Sequence, residues 1–200
     1  HQLDKLDQNT PFTLSYNEIT QSFVSFHDYR PGLYYSDQRI FFSTGNESAT
    51  PTRQYGLWMH NKGPGHGNYY GTDFDSYITY LVNSDPMHNK QFYNLEYRLE
   101  VYDGAGATYE NGNFKSYRMW NANQDTGTVS LTTGNRRTHK HQRKWRINVG
   151  RDTLSRRTSQ RITNEWSFLR FDIDNSIYSG SYNYRFVLHD LVYSYSFSLF

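Results

Sequence analysis

The sequence contains no cysteine and only five prolines among its 200 residues. Disulfides and cysteine-ligated metal centres are therefore excluded, so packing and strand pairing must stabilise the fold. No apolar run reaches the roughly 20 residues that a membrane-spanning helix needs, so we expect no membrane span. The sequence starts with His1 rather than Met, and we interpret it as a fragment of a longer chain.

Good helix-forming residues are also scarce, whereas aromatic residues are abundant. Alanine and leucine are sparse, but the chain has 19 Tyr and 13 Phe and is 18% aromatic. Aromatic and β-branched side chains suit the half-buried surface of a sheet, so the composition favours an all-β chain rich in loops. A mean hydropathy of -0.90 together with so many tyrosines indicates rings that lie at interfaces.

Alternation of apolar and polar residues predicts a series of short strands. The clearest is 91–103, with Tyr93, Leu95, Tyr97, Leu99 and Val101 on one face. Its opposite face is polar and is expected to be exposed to solvent. Residues 76–83 are apolar on both faces, which predicts an interior strand. The other predicted strands cover 12–16, 23–26, 39–43, 55–60, 114–120, 145–149, 167–173 and one or two segments within 184–200.

The strand spacing of about ten residues predicts an antiparallel β-sandwich or partial propeller-like sheets, with long loops and little helix. We find no internal repeat with a period of 20 to 50 residues, which argues against a complete propeller. The predicted organisation is a linker or entry segment at 1–10 and an aromatic-rich β-domain at 11–135. The basic segment and closing strands at 136–200 are expected to pack on the same body.

The first two strands form a predicted hairpin with a loop at 17–20. The Asn17 side chain can bond to the backbone ahead of it and thereby start the turn. Several pieces of this region and of the next 80 residues share a pattern with a known family. They are Leu14–Glu18, Ser22–His27, Leu57–Asn61 with Gly63, Tyr69–Gly71, Tyr77–Asn83, Asp85–Pro86 and Lys90.

This pattern resembles the muzzle- and nozzle-type tail virion structural proteins of crAss-like phages, which are tailed phages of Bacteroidetes. The resemblance covers about residues 11–102, and the strands near Trp145 and Phe171 resemble the closing region of the same proteins. It implies a non-enzymatic structural protein of the phage virion tail, which forms a ring around the exit channel for DNA and ejected proteins. The residues expected to define the fold motif are Tyr16, Phe26, Trp58, His60, Asn61, Gly63 and Gly71.

The resemblance also implies the protein's partners and location. We expect a homo-oligomeric ring that contacts other virion tail proteins, with at most transient contact to DNA. The protein would be made in the cytoplasm of the bacterial host and would reside in the virion tail. No cofactor is expected.

A basic block at 136–161 divides the charge of the chain. It holds ten of the 21 Lys and Arg residues and one of the 19 acidic residues, so it carries +9 and the remainder carries −7. The block can be a solvated face, a surface that docks on an acidic neighbour, or a contact for nucleic acid or anionic lipid. We favour docking, because the rest of the chain is acidic and can offer a surface of opposite charge. We disfavour a DNA contact, because a basic channel lining would retain DNA. The predicted interface residues are Arg136, Arg137, Lys140, Arg143, Lys144, Arg146, Arg156 and Arg157.

Isolated residue pairs allow catalytic or metal sites, but the pattern supports none of them. His27 and Asp28 are neighbours on a strand and point to opposite faces, and no G-x-S-x-G motif is present. Histidines 60, 66 and 88 could bind a metal with Asp73 or Asp75, but no HExxH spacing fixes them. We therefore predict no catalytic residue and no metal ligand.

Three further patterns carry weak alternatives. Asp172 and Asp174 share a strand face, but the loop of an EF-hand calcium site is missing. Glu96 and Glu100 could be a glycosidase pair, although alternation alone produces such pairs. Trp58, Tyr69, Tyr70 and Trp120 could stack on sugars, which makes a carbohydrate-binding β-sandwich for host receptor contact the alternative function.

Overall fold

The computed structural model shows an all-β chain. It describes residues 12–27, 29–37, 40–45, 56–60, 62, 68–70, 72–73, 75–103, 105–131, 138–154, 160–173 and 184–198. All regular elements in these ranges are strands in antiparallel sheets, which confirms the predicted fold class. The chain divides into two compact units: the first comprises His1–Gly63 and Asn68–Asp73, and the second comprises Pro64–Gly67 and Phe74–Phe200. The predicted segmentation at residues 10 and 135 stays a prediction.

The first unit contains two hairpins and a three-stranded sheet. Strands β1 and β2 form one hairpin, β3, β4 and β5 form the sheet in that order, and β6 and β7 form the second hairpin. The strands are β1 (Thr13–Asn17), β2 (Ser22–His27), β3 (Tyr34–Asp37), β4 (Ile40–Thr44), β5 (Leu57–His60), β6 (Asn68–Tyr69) and β7 (Thr72–Asp73).

The first hairpin and the role of Asn17 in its turn are confirmed, but the loop covers 18–21 and not 17–20, because Asn17 still pairs with Ser22. The Asn17 side-chain oxygen accepts hydrogen bonds from the backbone N–H groups of Ile19 and Thr20, at 2.9 and 3.3 Å. An asparagine side chain that bonds to the backbone two residues ahead closes a turn locally. The register then shifts between Ser15 and Tyr16, which marks a β-bulge.

The second unit contains two larger sheets. One has the order β11-β10-β15-β8, and the other has the order β12-β13-β9-β14, with β16 also paired to β9. The strands are β8 (Ser76–Val82), β9 (Lys90–Tyr102), β10 (Ser116–Trp120), β11 (Val129–Ser130), β12 (Thr138–His141), β13 (Lys144–Asn148), β14 (Thr163–Asn164), β15 (Ser167–Ile173) and β16 (Arg185–Phe197).

The hydrophobic core lies between these two sheets. Tyr97 of β9 and Phe171 of β15 are fully buried, and their ring centroids are 5.1 Å apart. Phe114 stacks on Phe171 at 4.5 Å. Because both sheets contribute alternating inward residues to one core, the unit is a β-sandwich. Other buried core residues are Val82, Phe92, Leu95, Leu99, Val101, Tyr117, Met119, Leu131, Ile147, Val149, Ile162 and Leu169.

The prediction that residues 76–83 form an interior strand is wrong. Among the described strands, β8 pairs only with β15 and ends its sheet. Val82 is buried, but Tyr77 and Leu81 are exposed on the other face. Within the described residues of the second unit, the second apolar row therefore lies at the surface.

The inward face of β9 also differs from simple alternation. In the pairing with β16, the register shifts so that Ser194 faces Asn94 and Tyr195 faces Phe92. This bulge leaves Tyr93 without an opposing residue and turns Phe92 into the core, where it is 1% exposed. Tyr93, predicted to point inward, is instead half-buried with its hydroxyl 2.8 Å from the Ser196 hydroxyl.

Candidate interaction surfaces

The basic block is partly organised as the hairpin of β12 and β13. His141 pairs with Lys144, so Gln142 and Arg143 form a two-residue loop, with φ angles of 49° and 65°. Positive φ at both positions is the geometry of a tight hairpin turn whose twist matches its strands. The turn places Arg143 at the tip of the hairpin.

Two cations of the block are paired inside their own sheet. β13 lies beside β9, where Arg146 faces Glu96. The Glu96 carboxylate accepts hydrogen bonds from Arg146 Nη2 at 2.8 Å and from Lys144 Nζ at 3.1 Å. These bonds, with the one from Arg146 as the larger cause, hold the pKa of Glu96 below its usual value. The charge available to a partner is therefore smaller than the sequence count indicates.

The other described cations of the block differ in their surroundings. Lys140 lies over the Trp145 ring at 5.5 Å, and Arg161 lies over the Tyr93 ring at 4.7 Å. Lys140 and Arg143 are exposed. Four of the predicted interface residues, Arg136, Arg137, Arg156 and Arg157, lie outside the described residues. The interface assignment as a whole stays a prediction.

The first unit is centred on a hydrogen-bonded aromatic cluster. The buried Ser43 hydroxyl lies 2.7 Å from His60 Nε2 and 2.6 Å from the Tyr70 hydroxyl. The Tyr29 ring lies beside both the His60 ring, at 6.2 Å, and the Tyr70 ring, at 5.5 Å. Burial lowers the pKa of His60, because the imidazolium ion loses hydration there. The cluster therefore favours a neutral His60.

The predicted fold-motif residues fall into separate environments. Trp58 and His60 point inward from β5, and the Trp58 ring meets the Tyr70 ring edge-on at 5.6 Å. Tyr16 and Phe26, in contrast, are exposed. Asn61, Gly63 and Gly71 lie outside the described residues. Their shared role in defining the fold stays a prediction.

We expect the first unit to lose stability as the pH falls below about 6.5, the usual pKa of histidine. The folded pKa of His60 is lowered, so the unfolded chain binds more protons. The contribution is fully present above the unfolded pKa and decreases as pH falls towards the folded pKa. Thermal melting from pH 8 to pH 5 measures it.

The matched variant for this measurement is His60→Gln, which keeps a polar group near Ser43 but does not titrate. Its melting temperature is expected to fall less than that of the wild type over the same pH range. All other ionisable groups are the same in the two proteins, so the difference between them reports on His60. An equal pH dependence of the two proteins would contradict the assignment to His60.

The residues considered for catalysis or metal binding are engaged in structural contacts. His27 Nε2 lies 2.9 Å from the Ser15 hydroxyl, and its ring stacks on Tyr29. His60 lies in the cluster that surrounds Ser43, a residue that is only 1% exposed. Asp28, His66 and Asp174 lie outside the described residues. No group of three potential metal-ligating side chains occurs in the described part of the chain.

The two carboxylate pairs are likewise bound within the sheets. Glu96 is held by Lys144 and Arg146, whereas Glu100 accepts a hydrogen bond from Tyr102 and lies 2.9 Å from His189 Nε2. Asp172 accepts hydrogen bonds from Ser116 and Arg170 at 2.6 Å each. These contacts join residues from 2 to 89 positions apart, so sequence spacing alone could not reveal most of them.

A cavity of about 550 Å³ lies on the second unit. Tyr93, Asn148, Asp152 and Arg161 are among its lining residues. Asp152 is buried, and its Oδ1 accepts hydrogen bonds from the backbone N–H groups of Asp125 and Leu154, both at 3.0 Å. The carboxylate therefore joins two loops.

In the described ranges, no helix is long and apolar enough to cross a membrane.

The described residues thus define an all-β protein with polar and apolar contact surfaces. Residues 65–152 match the family model described as the Crassvirus muzzle protein C-terminal domain. Over 203 aligned residues, the chain is 25% identical to the Muzzle protein of Bacteroides phage crAss001. The alignment covers 96% of this chain and 13% of that protein, so the chain spans about an eighth of the relative's length.

The two matches agree with each other and with the resemblance noted from the sequence. They confirm that the chain resembles the muzzle-type proteins of crAss-like phages. Neither match supports the alternative of a carbohydrate-binding module.

Proposed function

We propose that the chain is part of a structural component of a phage virion tail. In this role it contributes to a muzzle- or nozzle-like ring around the exit channel for DNA and ejected proteins. The observation that carries the proposal is the similarity to a named muzzle protein over 96% of this chain. The role is non-enzymatic, and the protein acts through contacts with copies of itself and with other tail proteins.

The architecture supports a structural role. The sandwich core brings together strands from residue 76 to residue 197, so distant parts of the second unit are packed as one body. Ion pairs such as Glu96 with Arg146 also link neighbouring strands on the surface of a sheet. A rigid sheet scaffold with charged and apolar surfaces suits assembly into a larger particle.

Electron microscopy of purified particles tests this role directly. Antibodies raised against the 200-residue chain are expected to label the distal end of the tail in intact virions. Density for the chain in a symmetric ring around the exit channel would support the finer assignment. Label on the capsid alone, or on no part of the particle, would contradict the proposal. Synthesis is expected in the host cytoplasm before assembly.

We further propose that the tip of the β12–β13 hairpin docks on an acidic surface of a neighbouring subunit. Lys140 and Arg143 are exposed there, whereas Lys144 and Arg146 share the Glu96 carboxylate. The chain outside the basic block carries a net charge of −7, so a second copy offers surface of the opposite sign. Complementary charge mainly guides association and orientation. Contact with DNA would be transient.

The double variant Lys140→Glu, Arg143→Glu is expected to reduce incorporation into tails about tenfold or more, because like charges then face each other. Quantitative blotting of purified particles from complemented phage measures incorporation. The charge-matched control is Lys62→Glu, Lys115→Glu, since both lysines lie outside the basic block. Equal loss in the two double variants would argue against docking through the hairpin tip.

A further inference from the structure

The β1–β2 hairpin places its apolar residues outward. Leu14 faces Phe26 and Tyr16 faces Phe23 in the strand register, and the bulge brings Phe23 and Phe26 onto one face although they are three residues apart. The Phe12 ring lies 5.4 Å from the Phe26 ring. All five side chains are exposed. We call Phe12, Leu14, Tyr16, Phe23 and Phe26 the hairpin face.

The opposite side of this hairpin is polar and contacts the rest of the first unit. The Thr13 hydroxyl donates a hydrogen bond to the Tyr29 carbonyl at 2.6 Å. Ser15 bonds to His27, whose ring stacks on Tyr29 at 4.8 Å. A two-stranded hairpin normally buries its apolar face on the body that it joins. Among the described residues of the first unit, none covers the apolar face of this hairpin.

The three-stranded sheet of the same unit also has polar groups on its inner side and apolar side chains on its outer side. Its inner side carries Ser43, Trp58 and His60, which contact Tyr70. Its outer side is a second apolar surface, which we call the sheet face. The exposed residues of the sheet face are Leu33, Tyr35, Leu57 and Met59.

The exposed areas set the size of a contact between the two faces. The four rings of the hairpin face are 39, 51, 69 and 37% exposed, which amounts to about two whole rings. At 150–250 Å² for each aromatic side chain, the rings alone offer roughly 300–500 Å². One contact joins the hairpin face of one copy to the sheet face of the next, and the sheet face offers a comparable area. The contact therefore buries roughly 600–1,000 Å² in total, against the ~1,000 Å² that a specific interface needs.

We propose that the hairpin face of one copy of this chain docks on the sheet face of the next copy. The hairpin face contains no charged residue, and on the sheet side the exposed Asp37 lies at the end of β3, beyond Tyr35. The apolar part of each face therefore requires an apolar partner, and every copy carries both faces. Contact between two different faces is head-to-tail and closes into a ring when the rotation permits. The choice of a second copy as the occupant rests on the proposed ring-forming role.

Analytical ultracentrifugation of the 200-residue chain tests this pairing. The wild-type chain is expected to self-associate as its concentration rises. Phe23→Ser on the hairpin face and Leu57→Ser on the sheet face should each weaken association about tenfold or more, because each removes an exposed side chain from the contact. Leu154→Ser is the matched control, since Leu154 is 67% exposed, against 69 and 70% for Phe23 and Leu57, but lies in the second unit.

Mixing the two variants distinguishes head-to-tail pairing from symmetric pairing. The Phe23→Ser chain keeps an intact sheet face and the Leu57→Ser chain keeps an intact hairpin face, so an equimolar mixture is expected to form dimers that neither variant forms alone. Absence of dimers in the mixture would overturn the pairing. A wild-type monomer at the highest soluble concentration, or association unchanged by both substitutions, would also overturn it.

Thiol labelling provides a measurement that does not depend on these serine variants. Because the chain has no cysteine, Leu57→Cys introduces one reporter on the sheet face. Its labelling is expected to slow as the chain associates. If the thiol is protected in intact tails while the isolated chain stays monomeric, another virion protein or another part of a longer chain covers the face. That result would overturn the pairing and leave the tail location intact.

Discussion

Phe171→Ala is expected to lower the free energy of unfolding of the second unit by about 3–5 kcal/mol. Phe171 is fully buried between the sheets, where it contacts the rings of Phe114 and Tyr97. The truncated side chain would leave a cavity, and the neighbouring rings can collapse into it only in part. Tyr97 belongs to the opposite sheet, and Phe114 lies in the segment just before β10. Urea unfolding followed by circular dichroism measures the loss.

The matched control for this substitution is Phe168→Ala on the same strand. Phe168 lies three residues away on the opposite face, where it is half-buried against Trp120 and Trp166. Its truncation removes less buried area and opens no enclosed cavity, so we expect less than half the effect. An equal loss for the two variants would show that Phe171 does not lie in the main core.

Gly112→Ala is expected to destabilise the second unit by about 2–3 kcal/mol through overpacking. A Cβ atom at this position would lie 2.4 Å from Cγ2 and 2.5 Å from Cβ of Val101. Val101 is buried in β9 and cannot move aside without displacing the strand. The shift in thermal melting temperature and in the urea midpoint measures this effect.

Gly106→Ala is the control that distinguishes a steric clash of the added Cβ atom from strain in the backbone. Gly106 has a φ of 85°, which an L-residue adopts at a cost of about 1 kcal/mol. A Cβ atom there would meet no atom within 4 Å. We therefore expect a smaller loss than for Gly112→Ala. The reverse order would indicate that the Val101 contact relaxes easily.

Local patterns predicted several elements closely. The predicted strand 167–173 coincides with β15, and Leu169 and Phe171 point inward as alternation requires. The turn at Asn17 follows the expected side-chain bonding. Both depend on residues within a few positions of each other, so the sequence carries all the information that they need.

The missed features depend on contacts between distant residues. Glu96 meets Arg146 only because β9 lies beside β13, and this pairing joins residues 50 positions apart. Similarly, Tyr93 leaves the core because β9 and β16 pair with a bulge. A prediction from alternation alone assumes regular pairing and assigns the wrong face wherever the register shifts.

The amino-acid order by itself determined that this protein is built from strands, because its aromatic and β-branched residues alternate with polar ones and it has few helix formers. The absence of cysteine also determined that packing must stabilise it. Only the tertiary structure decided which apolar rows are buried. Leu169 and Tyr16 both lie in alternating strands, but another sheet covers the first and the second remains exposed. Alternation establishes which side chains share a face, whereas burial depends on what the folded chain places opposite that face.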